Sequence, residues 1–63
     1  MAFHIRALVT LTPDAESTAY TLKAVTEHGA RGEALKKWPT AHAIRLEEYS
    51  LRRSAWVPYV NVK

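Results

Sequence analysis

The side chains best suited to chemistry in this chain are three histidines, His4, His28 and His42. Imidazole carries protons near neutral pH and is a common metal ligand. None of the three sits at the short helical or hairpin spacing that brings two ligands together, and the chain has no cysteine to complete a tetrahedral set. We expect no metal site. The acids are Asp14, Glu16, Glu27, Glu33, Glu47 and Glu48. Glu47 and Glu48 are neighbours in a β-prone run, so they point to opposite faces and cannot pair as general acid and base. Asp14 and Glu16 read as turn and solubility residues. Ser17, Ser50 and Ser54 lack the glycine-flanked strand-to-helix context of a nucleophile elbow. Gly29, Ala30, Arg31 and Gly32 echo a phosphate loop faintly, without its Gly-Lys-Ser/Thr ending. Free N–H groups at that helix start could hold a phosphate. The plainer reading is a small-residue surface that lets a helix lie close to a sheet. Catalytic residues, cofactor and enzymatic activity are all expected to be absent.

The elements that would carry these residues are readable. Phe3, Ile5, Ala7, Val9 and Leu11 alternate with His4, Arg6, Leu8, Thr10 and Thr12, the period-two pattern of a strand with one buried face. A polar stretch follows, with a turn-forming Pro13 and Asp14. Residues 18–25 are rich in β-branched side chains and predict a second strand, hairpinned to the first. Thr26 is suited to cap a helix. Ala30, Ala34 and Trp38, with Leu35 beside them, make one apolar stripe. Lys36 and Lys37 fall in the last turn, where cations suit the dipole, and Pro39 ends the helix. Residues 44–51 and 55–62 predict two more strands. The linker Leu51, Arg52, Arg53, Ser54 contains neither Gly nor Asn, so a loop longer than a tight primed turn is expected. Pro58 marks the last strand as an edge or as bulged. Either Trp56, Val60 and Val62 face inward, or Val57 and Tyr59 do, and a bulge at Pro58 would serve both.

The expected fold is α+β, in the order β-β-α-β-β: a four-stranded antiparallel sheet with one helix packed on one face. The core would be Phe3, Ile5, Val9, Leu11, Tyr20, Leu22, Ala30, Ala34, Leu35, Trp38, Ile44 and Leu46. The alternative is β-α-β-β with a first helix over residues 13–28, where Thr12 would cap, Pro13 would take the first helical position and Gly29 would follow the last turn. We favour the strand, because Thr18, Thr21, Val25 and Thr26 are poor helix-interior residues.

With 63 residues the chain is expected to be one small domain over 1–63, and at this size a core is marginal without disulfides. No run approaches the ~20 apolar residues of a membrane span, and the first residues lack signal-peptide order. We expect a cytoplasmic protein starting at its own Met1, with no membrane partner, as monomer or homodimer. The formal net charge is +3, a mild bias that suits a nucleic-acid or acidic-protein partner.

One helix covers one face of a sheet, so the other face meets water or a partner. Parity puts His4, Arg6, Thr10, Thr21, Lys23 and Arg45 on that open face. Arg52 and Arg53 tip the last hairpin. Basic side chains and hydroxyls there could hold phosphates. An outward Tyr59 or Trp56 could stack on a base or anchor an interface. The candidate binding residues are therefore His4, Arg6, Lys23, Arg45, Arg52, Arg53 and Tyr59.

The layout resembles small phage-encoded anti-CRISPR proteins, some of which are a β-sheet of this size with one helix. The resemblance runs through the segment from Tyr20, Thr21, Leu22 and Lys23 to Ala24, Val25 and Thr26, the helix with Glu33, Ala34 and Leu35, and the strand Ala43, Ile44, Arg45, Leu46, Glu47. It implies a cytoplasmic inhibitor in a phage's host that binds a protein or protein–nucleic-acid complex stoichiometrically and occludes it. The reading that rests on composition alone is a small basic nucleic-acid-binding protein using the open sheet face.

Overall fold

A computed structural model of the chain describes residues 4–63. The order is β1 (Ile5–Thr10), β2 (Thr18–Thr21), α1 (Glu27–Lys37), β3 (Ala43–Ser50) and β4 (Ala55–Asn61). The sheet is antiparallel throughout, with spatial order β2-β1-β3-β4. The α+β fold with one helix is thus as the period-two and helical patterns predict. The alternative first helix over residues 13–28 does not form, and α1 begins only at Glu27. Residues 11–17 turn in solvent and Thr18–Thr21 pair with β1.

β2 is shorter than the expected 18–25, because of a contact from the helix. The backbone N–H groups of Lys23 and Ala24 donate to the Glu33 carboxylate, at 3.0 to 3.1 Å. A side chain on the helix thereby takes the donors that would have continued a strand, and the chain turns out of the sheet. Thr26 then caps α1, its Oγ1 accepting the Gly29 N–H at 3.1 Å. The far end closes with the Trp38 N–H on the Ala34 carbonyl at 2.9 Å.

One face of the sheet and the helix enclose the core: Ile5, Ala7, Val9, Leu22, Ala30, Ala34, Ala41, Ile44 and Leu46. Within α1 only Ala30 and Ala34 are buried, a narrow line of methyl groups in the core. This corrects the expected core in four places. Leu35 is one residue, about 100°, around the helix from Ala34, so it points outward and is exposed. Leu11 lies past the end of β1 and is exposed. Tyr20 is 40% exposed and Trp38 only half-buried; their rings pack on each other, centroids 4.8 Å apart, and roof the core's edge. Ala7 and Ala41 are buried instead. Phe3 lies outside the described residues.

The last strand resolves its two possible facings with a bulge. Leu46 pairs with Val60 but Glu47 with Pro58, so Tyr59 is the extra residue. The bulge changes parity. Val60 joins Val57 and Val62 on the helix side, while Trp56 turns to the open side, across from Tyr49. Pro58 and the bulge also blunt this edge against pairing with another chain. The β3–β4 connection is a four-residue loop, 51–54, closed by Ser54 at φ 52°. That left-handed residue does the work usually given to Gly or Asn.

Candidate functional site

The uncovered face of the sheet is built in cross-strand rows. Thr21, Arg6, Glu47 and Pro58 form one row, and Ala19, Leu8, Arg45 and Asn61 the next. Because Arg45 and Glu47 are two apart on β3, both side chains leave the same face. Glu47 is the only buried charged residue among those described. Its carboxylate accepts from Arg6 Nε at 2.8 Å through one oxygen and from Arg45 Nη2 at 3.0 Å through the other. The Arg6 guanidinium also lies over the Trp56 ring, 4.5 Å from its centroid, and Tyr49 meets Trp56 edge-on at 5.4 Å. Cation, carboxylate and two aromatics therefore form one interlocked cluster in the middle of a face that no helix covers.

Beyond this cluster, toward the start of β3, lies a shallow hollow of about 190 Å³. Leu8, Thr10, Ser17, Arg45, Asn61 and Lys63 line it. Thr10 and Ser17 hydroxyls touch at 2.6 Å. Lys63 Nζ donates to the Pro39 carbonyl at 2.8 Å. Arg45 belongs to both halves, bonding Glu47 on one side and walling the hollow on the other.

Of the residues singled out from sequence, Arg6 and Arg45 meet at one carboxylate. Arg52 and Arg53 are exposed on the 51–54 loop, at the Trp56 end of the face. His4 is exposed just before β1, and its carbonyl accepts the Tyr49 N–H at 3.1 Å. Lys23 is not on the sheet face: it lies in the loop after β2, held there by Glu33. Tyr59 sits at the bulge, 37% exposed. Glu47 and Trp56 organise the face; parity left Trp56 between two facings and did not single out Glu47. The sequence does hold a signal for Glu47, since an Arg-x-Glu spacing within a strand puts opposite charges side by side.

Among the described residues, Glu33 is the one titratable group with a clear shift. Burial pushes its carboxyl up, but the N–H groups of Lys23 and Ala24 and the Lys37 ammonium outweigh this and hold it below the usual range. Among the described residues no three His, Asp or Glu side chains gather as a metal site, and no helix is long and apolar enough to cross a membrane. Compared with protein families, curated proteins and solved structures, the chain matches none.

Proposed function

We propose that this chain is a non-enzymatic binding protein that acts by covering a partner protein's surface with its open sheet face. The observation that supports the reading is the Arg6–Glu47–Arg45 cluster stacked on Trp56. Tryptophan, tyrosine and arginine are the side chains that most often dominate the energy of protein interfaces. Here the Glu47 carboxylate ties down Arg6 and Arg45, and Trp56 is packed between Arg6 and Tyr49, so less freedom is lost on docking.

The same cluster argues for protein over nucleic acid as the main partner. Nucleic-acid affinity rests on unpaired cations that neutralise phosphates. Glu47 already takes the charge of one of its two arginines, and Lys23 lies off the face. The exposed Arg52 and Arg53 at the hairpin tip would then steer association or touch nucleic acid carried by a nucleoprotein partner. Stoichiometric occlusion of this kind is also how an anti-CRISPR-type inhibitor would act, and the phage assignment and host cytoplasm belong to the same proposal.

The test is capture of a partner from a lysate of the organism that carries the chain, with and without nuclease, followed by reconstitution with the purified partner. Trp56→Ala should weaken the reconstituted complex at least tenfold. Lys36→Ala, on the exposed helix side, should leave it unchanged. Loss of all capture on nuclease treatment, or equal sensitivity of the two variants, would sink the reading.

A further inference from the structure

We infer that the hollow beside Arg45 is a receiving site for one acidic side chain, a glutamate or aspartate, of the partner protein. This rests on the open face being the binding face, and it names the partner's chemistry there. The charge pattern carries it. Arg45 stands at the hollow's wall, Lys63 lines it with its ammonium on the Pro39 carbonyl, and no Asp or Glu lines it. The nearest carboxylate on the same strand, Glu47, is turned to Arg6 and already shared.

The donors suit a carboxylate. A guanidinium has five N–H groups, and one nitrogen of Arg45, Nη2, is committed to Glu47. In the Thr10–Ser17 pair either hydroxyl can donate to the other. One hydroxyl proton closes that contact, and the second can rotate to donate to a group in the hollow that both residues line. The Asn61 amide adds two further N–H groups. Leu8 supplies an apolar patch against which the methylene stem of a Glu or Asp would lie. A hollow of about 190 Å³ exceeds the ~30 Å³ share of one water several-fold, so a side chain fits with its stem.

A nucleic-acid backbone fits less well. It presents a row of phosphates and needs a row of free cations. From the hollow, the next cation along the sheet is Arg6, which is held by Glu47 and stacked on Trp56.

The experiment is a titration of the labelled chain, following backbone amides by two-dimensional NMR. The probes are a capped tri-glutamate peptide, its tri-glutamine analogue, inorganic phosphate and oligothymidylate. Tri-glutamate should move the amides of Thr10, Ser17, Arg45 and Asn61 saturably, and tri-glutamine should not. Arg45→Gln should weaken tri-glutamate binding at least fivefold. Ser17→Ala, on an exposed loop, should weaken it about twofold with the fold intact, and serves should Arg45→Gln fail to fold. Lys36→Ala, on the exposed helix side, should leave the site unchanged. No saturable shift with tri-glutamate, or tighter binding of phosphate or oligothymidylate at the same amides, overturns the inference. If those outcomes coincide with a Trp56-dependent partner complex, the hollow alone is misassigned and the open face stands.

Discussion

Arg6 and Glu47 stand directly opposite each other on β1 and β3, and their side chains close to 2.8 Å on the uncovered side of the sheet. The Glu47 side chain keeps only 7% of its exposure, whereas those of Arg6 and Arg45 keep 28% and 45%. The pair is therefore asymmetric. Remove a guanidinium, and a buried carboxylate is left under-partnered. Remove the carboxylate, and two arginines relax toward water.

From this asymmetry, Arg6→Met should cost about 2–3 kcal/mol, less than the 3–5 for breaking a fully buried pair because Arg45 remains. Arg45→Met should cost no more than about 1 kcal/mol. Arg6→Glu should unfold the chain at neutral pH, since it sets two carboxylates against each other. Urea unfolding midpoints check all three. Equal costs for Arg6→Met and Arg45→Met would show that Glu47 treats its partners alike. Arg6 is thus a poor choice for probing binding, although its type and parity mark it as a surface cation.

Gly32→Ala should stabilise the chain by about 0.5–1 kcal/mol, the usual helix-interior difference. A Cβ built on Gly32 meets nothing within 4 Å, and the position is exposed. Gly29 differs. A Cβ there would lie 3.1 Å from the capping Thr26 Oγ1 and 3.3 Å from the Ala24 Cβ. Gly29→Ala should therefore gain less than Gly32→Ala or lose stability outright. Thermal unfolding of the two single variants separates the positions.

The strands and the helix were legible because each follows a local rule. Period-two alternation marks β1, and Thr26, Ala30, Ala34 and Pro39 bracket α1. Three features were not legible, because each depends on contacts distant in sequence. β2 stops at Thr21 because Glu33, on the helix, takes the N–H groups of Lys23 and Ala24. The helix turns Leu35 outward because its contact line is only as wide as two alanines. Trp56 faces outward because Tyr59 is looped out of register across from β3. The open face was anticipated through Arg6 and Arg45. For its organiser Glu47 the Arg45-x-Glu47 spacing signals one ion pair, but its burial depends on the cross-strand partner Arg6, which spacing does not reveal.

Acid should weaken the chain partly through Glu33. Its carboxyl is held below its ordinary value in the folded state, so the unfolded chain binds the proton more readily. The stabilisation is present above the unfolded value, about 4.3, and is lost as pH falls through the lower folded value. Glu33→Gln should cost about 1–2 kcal/mol at pH 6, the scale of hydrogen bonds to a charged group. Below about pH 4 the gap between variant and parent should narrow. Urea unfolding at the two pH values measures it, and a pH-independent gap would show that the carboxylate's charge is irrelevant to the loop it holds.

Trp38 and Tyr20 should act as a unit. Trp38 caps the end of α1, Tyr20 comes from the edge strand, and their rings pack at 4.8 Å with an interplanar angle of 38°. Neither is fully buried, so the contact matters by roofing the core's edge rather than by filling its centre. Trp38→Ala should then cost about 2–3 kcal/mol, below the 3–5 typical of a fully buried tryptophan. In a domain of this size that lowers the melting point by roughly 10–20 °C. Trp38→Phe keeps a ring against Tyr20 and should cost under about 1.5 kcal/mol. The decisive variant is the double, Trp38→Ala with Tyr20→Ala. If the rings stabilise the fold through each other, its cost falls short of the sum of the singles by at least 0.5 kcal/mol. Strict additivity would mean that each ring covers its own part of the core. The end of α1 would then be held by the Trp38 N–H on the Ala34 carbonyl, and the edge strand by its pairing with β1, each independently of the other.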